Sequence, residues 1–110
     1  MKKFIPLSLL FATLQANALG DLYIGTIEEK NGQVILKRCD LVMNQYTLRD
    51  KKGNSEAPVK QMLTMLKSTK GIIYGEVTGE YEEKNGKNFL IVDFIEHIQK
   101  NKNCHLLDLL

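Results

Sequence analysis

The chain has 110 residues, with 15 Lys+Arg, 13 Asp+Glu and 44% hydrophobic residues. That length holds one small domain at most. The near balance of charge argues against a generally basic nucleic-acid binder.

The order along the chain begins with an export pattern. Met1-Lys2-Lys3 is basic, residues 4–14 are apolar apart from Pro6, Ser8 and Thr13, and Ala16-Asn17-Ala18 ends the segment with small-x-small. Charged start, short apolar run and small-residue exit predict a secretory signal peptide over residues 1–18. The apolar run is too short to span a bilayer, which needs roughly 20 residues. Residues 19–110 then form the mature domain, with Leu19 first. Without Lys2 and Lys3, 13 basic side chains face 13 acidic ones, so the mature chain is formally neutral. Neither cysteine follows the cleavage point, so no lipid anchor is expected, and the mature protein is expected to be soluble, in the periplasm or secreted.

Glu28-Glu29-Lys30-Asn31-Gly32 recurs as Glu82-Glu83-Lys84-Asn85-Gly86. Each copy joins alternating apolar stretches, and Asn-Gly is the strongest short hairpin signal because both turn residues tolerate positive φ. A two-residue turn at Asn31-Gly32 pairs Ile27 with Leu36 and Ile24 with Cys39. A turn at Asn85-Gly86 pairs Tyr81 with Leu90, Gly79 with Val92 and Val77 with Phe94. That register predicts one core face made of Val77, Tyr81, Leu90, Val92 and Phe94.

Residues 45–50 read as a third strand, with Tyr46 and Leu48 on one side. Ser55 is the expected cap of a following helix, with Pro58 in its first turn. Val59, Met62, Leu63 and Leu66 fall at i, i+3, i+4, i+7 and make one apolar helical face, with Met65 beside it. Gly71 is the expected stop after Lys67 and Lys70. Residues 72–74 begin the next strand. The apolar tail, residues 106–110, is expected to pack onto the body or to add a short strand.

The predicted order is three strands, one helix and two strands. That is the order of the OB-fold, a five-stranded Greek-key barrel with a helix between strands three and four, and a mainly β architecture. Glycines at 25, 75 and 79 suit strongly curved strands. The stretch from Tyr74-Gly75-Glu76-Val77-Thr78-Gly79-Glu80-Tyr81 through Phe89-Leu90-Ile91-Val92-Asp93-Phe94-Ile95, with Tyr46-Thr47-Leu48-Arg49-Asp50, resembles the barrel strands of small exported bacterial OB-fold proteins. The resemblance is at fold level and implies a stress-related binding or accessory role without naming a ligand.

Cys39 and Cys104 are the only cysteines. An even count in a small exported chain predicts a disulfide. Closing a loop of 65 positions stabilises the fold by roughly 4 kcal/mol in the chain-entropy model. His97 and His105 are the only histidines. Cys104-His105 could start a metal site, but a structural zinc site wants four ligands at recognisable spacing, so no metal and no cofactor are expected. With Cys104 oxidised, His105 reads as a surface side chain and His97 as an exposed strand residue. The mature serines, Ser55 and Ser68, sit at a helix cap and a helix end, and no Gly-x-Ser-x-Gly elbow occurs. With no nucleophile–base–orienter set, no enzyme activity is expected.

Charge is uneven along the chain. Residues 19–70 hold nine basic and six acidic side chains, whereas residues 71–110 hold four and seven. OB-folds bind oligonucleotides or oligosaccharides across strands two and three. Lys37, Arg38, Tyr46 and Arg49 are therefore the candidate ligand residues, for an envelope glycan, another anionic ligand or a protein. One clear aromatic is thin for stacking a single strand, so nucleic acid is not the expected partner. Glu76, Glu80 and Glu82 share one side of the fourth strand, opposite Phe89 and Ile91. They form a candidate partner-binding surface, which supports an alternative role as an inhibitor or immunity-type protein. The favoured expectation is a non-catalytic periplasmic binding or accessory module for an envelope component.

Overall fold

The structure, a computed structural model, describes residues 20–39 and 44–105. The proposed signal peptide and the apolar tail 106–110 lie outside these residues. Strands β1 (Asp21–Lys30), β2 (Gln33–Arg38) and β3 (Gln45–Asp50) precede helix α1 (Pro58–Ser68), and β4 (Ile73–Lys84) and β5 (Lys87–Lys100) follow it. The sheet closes in the order β1-β2-β3-β5-β4, with β4 returning to β1. The β3–β5 pair is parallel and the others are antiparallel. This is the expected five-stranded OB-like barrel with its helix between the third and fourth strands.

Both Asn-Gly turns form. Asn31 and Gly32 have φ of 54° and 80°, and Asn85 and Gly86 have 54° and 78°, so both central residues of each turn are left-handed. Ile27 pairs with Leu36, Tyr81 with Leu90 and Gly79 with Val92, as the turns dictate. The interior holds Ile27, Val34, Leu36, Leu48, Ile73, Val77, Leu90 and Val92, and α1 adds Val59 and Met62. Tyr46 and Leu48 are both buried, as the alternation in β3 requires.

The expected pairing of Val77 with Phe94 is not formed. Val77 pairs with Ile95, and Phe94 pairs with Thr78. Asp93 is an extra residue on β5, and such a bulge reverses which way every later side chain points. Phe94 therefore leaves the core and is 37% exposed, while Ile95 packs against it. Gly79 makes the bulge possible, because a Cβ there would lie 2.6 Å from the Ile91 carbonyl oxygen. Tyr81 also departs from the expected core and is 49% exposed. The β1–β4 pairing ends at Gly79, so Tyr81 lies beyond the strand that would cover it.

The helix is capped from outside itself. Ala57 occupies the cap position with φ 44° and offers no side-chain bond. The Asp50 carboxylate at the end of β3 instead accepts from the backbone N–H of Val59 (2.7 Å) and of Lys60 (3.1 Å). Ser55 does not hold this place. A carboxylate satisfies two orphan donors and also complements the positive helix end. Helix α1 ends at Ser68, before Gly71.

The Cys39–Cys104 disulfide is present, with Cα atoms 5.3 Å apart. It ties the residue after β2 to the segment after β5. His105, expected at the surface, is only 2% exposed. The disulfide draws its neighbour against β1, where a ring nitrogen, Nε2, lies 2.7 Å from Thr26 Oγ1.

Candidate functional site

Strand alternation separates the four residues predicted to bind a ligand. Leu36 and Tyr46 are paired and both point inward, so Arg38, two residues beyond Leu36, is on the inner side at the barrel mouth. Its guanidinium donates to the Tyr46 hydroxyl at 3.4 Å and sits 5.6 Å from the Tyr23 ring centre. Tyr46 packs edge-on against Tyr23 and Tyr81, with ring centres 5.3 and 6.0 Å away. These residues close the mouth with aromatic surface. Burial pushes the Tyr23 phenol upward from its usual value, and the nearby Asp21 carboxylate adds to the shift.

Lys37 and Arg49 are on the outer side but at opposite ends of the β2–β3 face. Lys37 is paired with Gln45 and lines a cavity of about 130 Å³ with Thr26, Glu28, Asn103 and His105. Arg49 is next to β5, four residues along β3 from Gln45. The structure therefore brings Arg38 and Tyr46 together at the mouth, and leaves Lys37 and Arg49 apart.

Arg49 belongs to a second grouping that the predicted set did not contain. Its guanidinium carbon is 4.3 Å from the Phe89 ring centre, and Phe89 is only 7% exposed although it points outward. An open concavity around this pair is lined by Lys84, Asn85 and Lys87 from the β4–β5 hairpin. Beside it, a shallow groove is lined by Ile35, Gln45, Thr47, Lys87 and Asn88. The register aligns Ile35, Thr47 and Phe89 in one row across β2, β3 and β5. Among the described residues, Arg49, Lys84 and Lys87 form no ion pair with a carboxylate. Three cations thus line one concavity with one aromatic ring. Glu82, opposite Phe89 on β4, bounds the patch on its acidic side.

The predicted partner surface is also divided. Glu80 and Glu82 are exposed, opposite Ile91 and Phe89 respectively. Phe89 lies under Arg49, and Ile91 is half-buried. Glu76 is half-buried, and its carboxylate is 2.9 Å from His97 Nδ1. His97 reaches it from a second irregularity in β5, where its φ is 52°.

Among the described residues no group of three or more His, Cys, Asp or Glu side chains is arranged to hold a metal ion. No described helix is long and apolar enough to cross a membrane. Comparison with family models, curated proteins and solved structures finds no match to this chain.

Proposed function

We propose that this chain is a non-catalytic binding module that acts outside the cytoplasm, in the periplasm or after secretion. Its ligand is an anionic component of the bacterial envelope, foremost an acidic glycan, taken on the outer face of β3 and β5. The observation that carries this reading is the cluster of Arg49, Lys84 and Lys87 around Phe89. A guanidinium held over a ring is pre-oriented, so less side-chain freedom is lost when it binds an anion. Thr47, half-buried in the neighbouring row, offers hydroxyl contact for a sugar ring. The turn chemistry supports the same face, because the β4–β5 Asn-Gly turn fixes where Lys84 and Lys87 are presented. The export pattern of residues 1–18 and the disulfide support the location.

Calorimetric titration with an oligogalacturonate, against a neutral maltooligosaccharide of equal length, tests the reading. The expected result is binding of the acidic sugar alone, weakening with salt and lost in Arg49→Glu/Lys87→Glu. Equal binding of both sugars, or an unchanged affinity in the double variant, contradicts it.

A further inference from the structure

A different part of the surface combines apolar exposure with negative charge. Helix α1 and the second half of β5 enclose a groove of about 170 Å³ whose lining includes Met62, Met65, Phe94 and Ile98. Phe94 and Ile98 are each 37% exposed, which is unusual for side chains beside a core. The Asp93 bulge is what turns Phe94 out to this rim. A second exposed apolar side chain lies two strands away from Phe94 in the same row. Leu22, Thr78 and Phe94 are paired in one row over β1, β4 and β5, and Leu22 is 56% exposed.

The charges bordering this strip are acidic. Glu56 is the one charged residue among the described residues lining the groove. Glu96 is exposed on β5, opposite Glu76 on β4, and Glu80 is exposed two residues beyond Thr78. Asp93 already has a partner in Lys51 at 3.5 Å, and the Glu76 carboxylate is in hydrogen-bond contact with His97 Nδ1. Glu56, Glu80 and Glu96 have no such match among the described residues.

We infer that the α1–β5 groove and the Leu22–Phe94 row form a docking surface for a short segment of a partner protein that alternates apolar and basic side chains. One aliphatic side chain enters the groove beside Met65 and Ile98, above the buried Met62. A second lies on the Leu22–Phe94 row. Lys or Arg side chains of the segment meet Glu56 and Glu96. Methionines suit such a groove because their flexible thioethers adapt to an incoming side chain. Exposed apolar side chains grouped in this way mark protein contacts, and acidic borders select a cationic occupant and speed its encounter. This surface is distinct from the Arg49–Phe89 face and has the opposite charge.

The probe is a fluorescent synthetic peptide alternating Lys and Leu, with Lys–Ser and Glu–Leu peptides as controls, monitored by anisotropy at about 0.15 M salt. The Lys–Leu peptide is expected to bind and the controls to bind at least about tenfold more weakly, a difference of about 1.4 kcal/mol. Phe94→Ser/Ile98→Ser and, separately, Glu56→Lys/Glu96→Lys should each weaken it by a similar factor. Both sites in each pair are at the surface, and if the serine variant fails to fold, the charge-reversed variant still gives the reading. Arg49→Glu should leave this binding unchanged, which separates it from the anion-binding face. Equal binding of Lys–Leu and Lys–Ser, or variants that bind like the parent, overturns the inference. So does a dimer by sedimentation that Phe94→Ser dissociates, because the occupant would then be a second copy of the chain.

Discussion

The Arg49 guanidinium lies 4.3 Å over the ring of Phe89, and this contact joins residues 40 positions apart in the chain. The parallel β3–β5 pairing puts Thr47 beside Phe89, so Arg49 reaches the ring diagonally. Phe89 is thereby covered without entering the core, and Arg49 is held in place by a contact that uses none of its N–H donors.

Arg49→Ala should separate stability from binding. A surface cation–π contact is worth about 0.5–1 kcal/mol, so urea unfolding should show a loss of that size. Affinity for an acidic oligosaccharide should fall at least about tenfold, because a charged hydrogen bond is lost with it. Arg49→Lys should recover only part of the affinity, since an ammonium lacks the planar fork.

The helix cap gives a sharp contrast between two residues. Asp50→Ala removes the acceptor for the Val59 and Lys60 N–H groups and should cost about 1–2 kcal/mol in urea unfolding. Ser55→Ala should stay within about 0.5 kcal/mol, as for an ordinary surface site. Equal losses at the two positions would contradict the capping geometry.

The disulfide is testable by mass and by stability. Non-reducing mass analysis should find no free thiol in the oxidised protein. Cys39→Ser/Cys104→Ser should lose up to about 4 kcal/mol of unfolding free energy. In that variant the His105 ring should become accessible to diethyl pyrocarbonate, because the disulfide no longer holds it against Thr26. An unreactive His105 in the double variant would show that packing alone buries it.

Tyr23 sets a limit at alkaline pH. Burial, reinforced by the Asp21 charge, raises its phenol above the ordinary 10.0. The folded state therefore holds this proton more tightly than the unfolded state does. The contribution to stability is complete below pH 10.0 and is lost as pH rises through the folded-state value. Tyr23→Phe should flatten the decline in unfolding midpoint above pH 10.0, and a decline identical to the parent would contradict the assignment.

The barrel is legible in the sequence because its determinants are local. Asn31-Gly32 and Asn85-Gly86 fix two hairpins, and alternation around Leu36, Leu48 and Leu90 fixes which side is buried. The departures arise where a residue's role depends on a distant partner. Asp93 and His97 look like ordinary strand residues, yet each inserts one position and redirects the side chains beyond it. The helix cap is Asp50, eight residues before Pro58, beyond the reach of a local capping pattern. His105 is buried because its neighbour is tied to Cys39. Arg49 is identifiable from the sequence, but its companions Lys84, Lys87 and Phe89 become visible only with the parallel pairing, which no turn dictates.

Chemical-shift mapping with an oligogalacturonate on the ¹⁵N-labelled oxidised protein shows where the anion sits. Anion binding at the Arg49–Phe89 face predicts saturable shifts at Thr47, Arg49, Lys84, Lys87 and Phe89, with Lys37 and His105 unmoved. Shifts confined to the Lys37–His105 cavity or to the tyrosine-lined mouth, or no shifts at all, would contradict it.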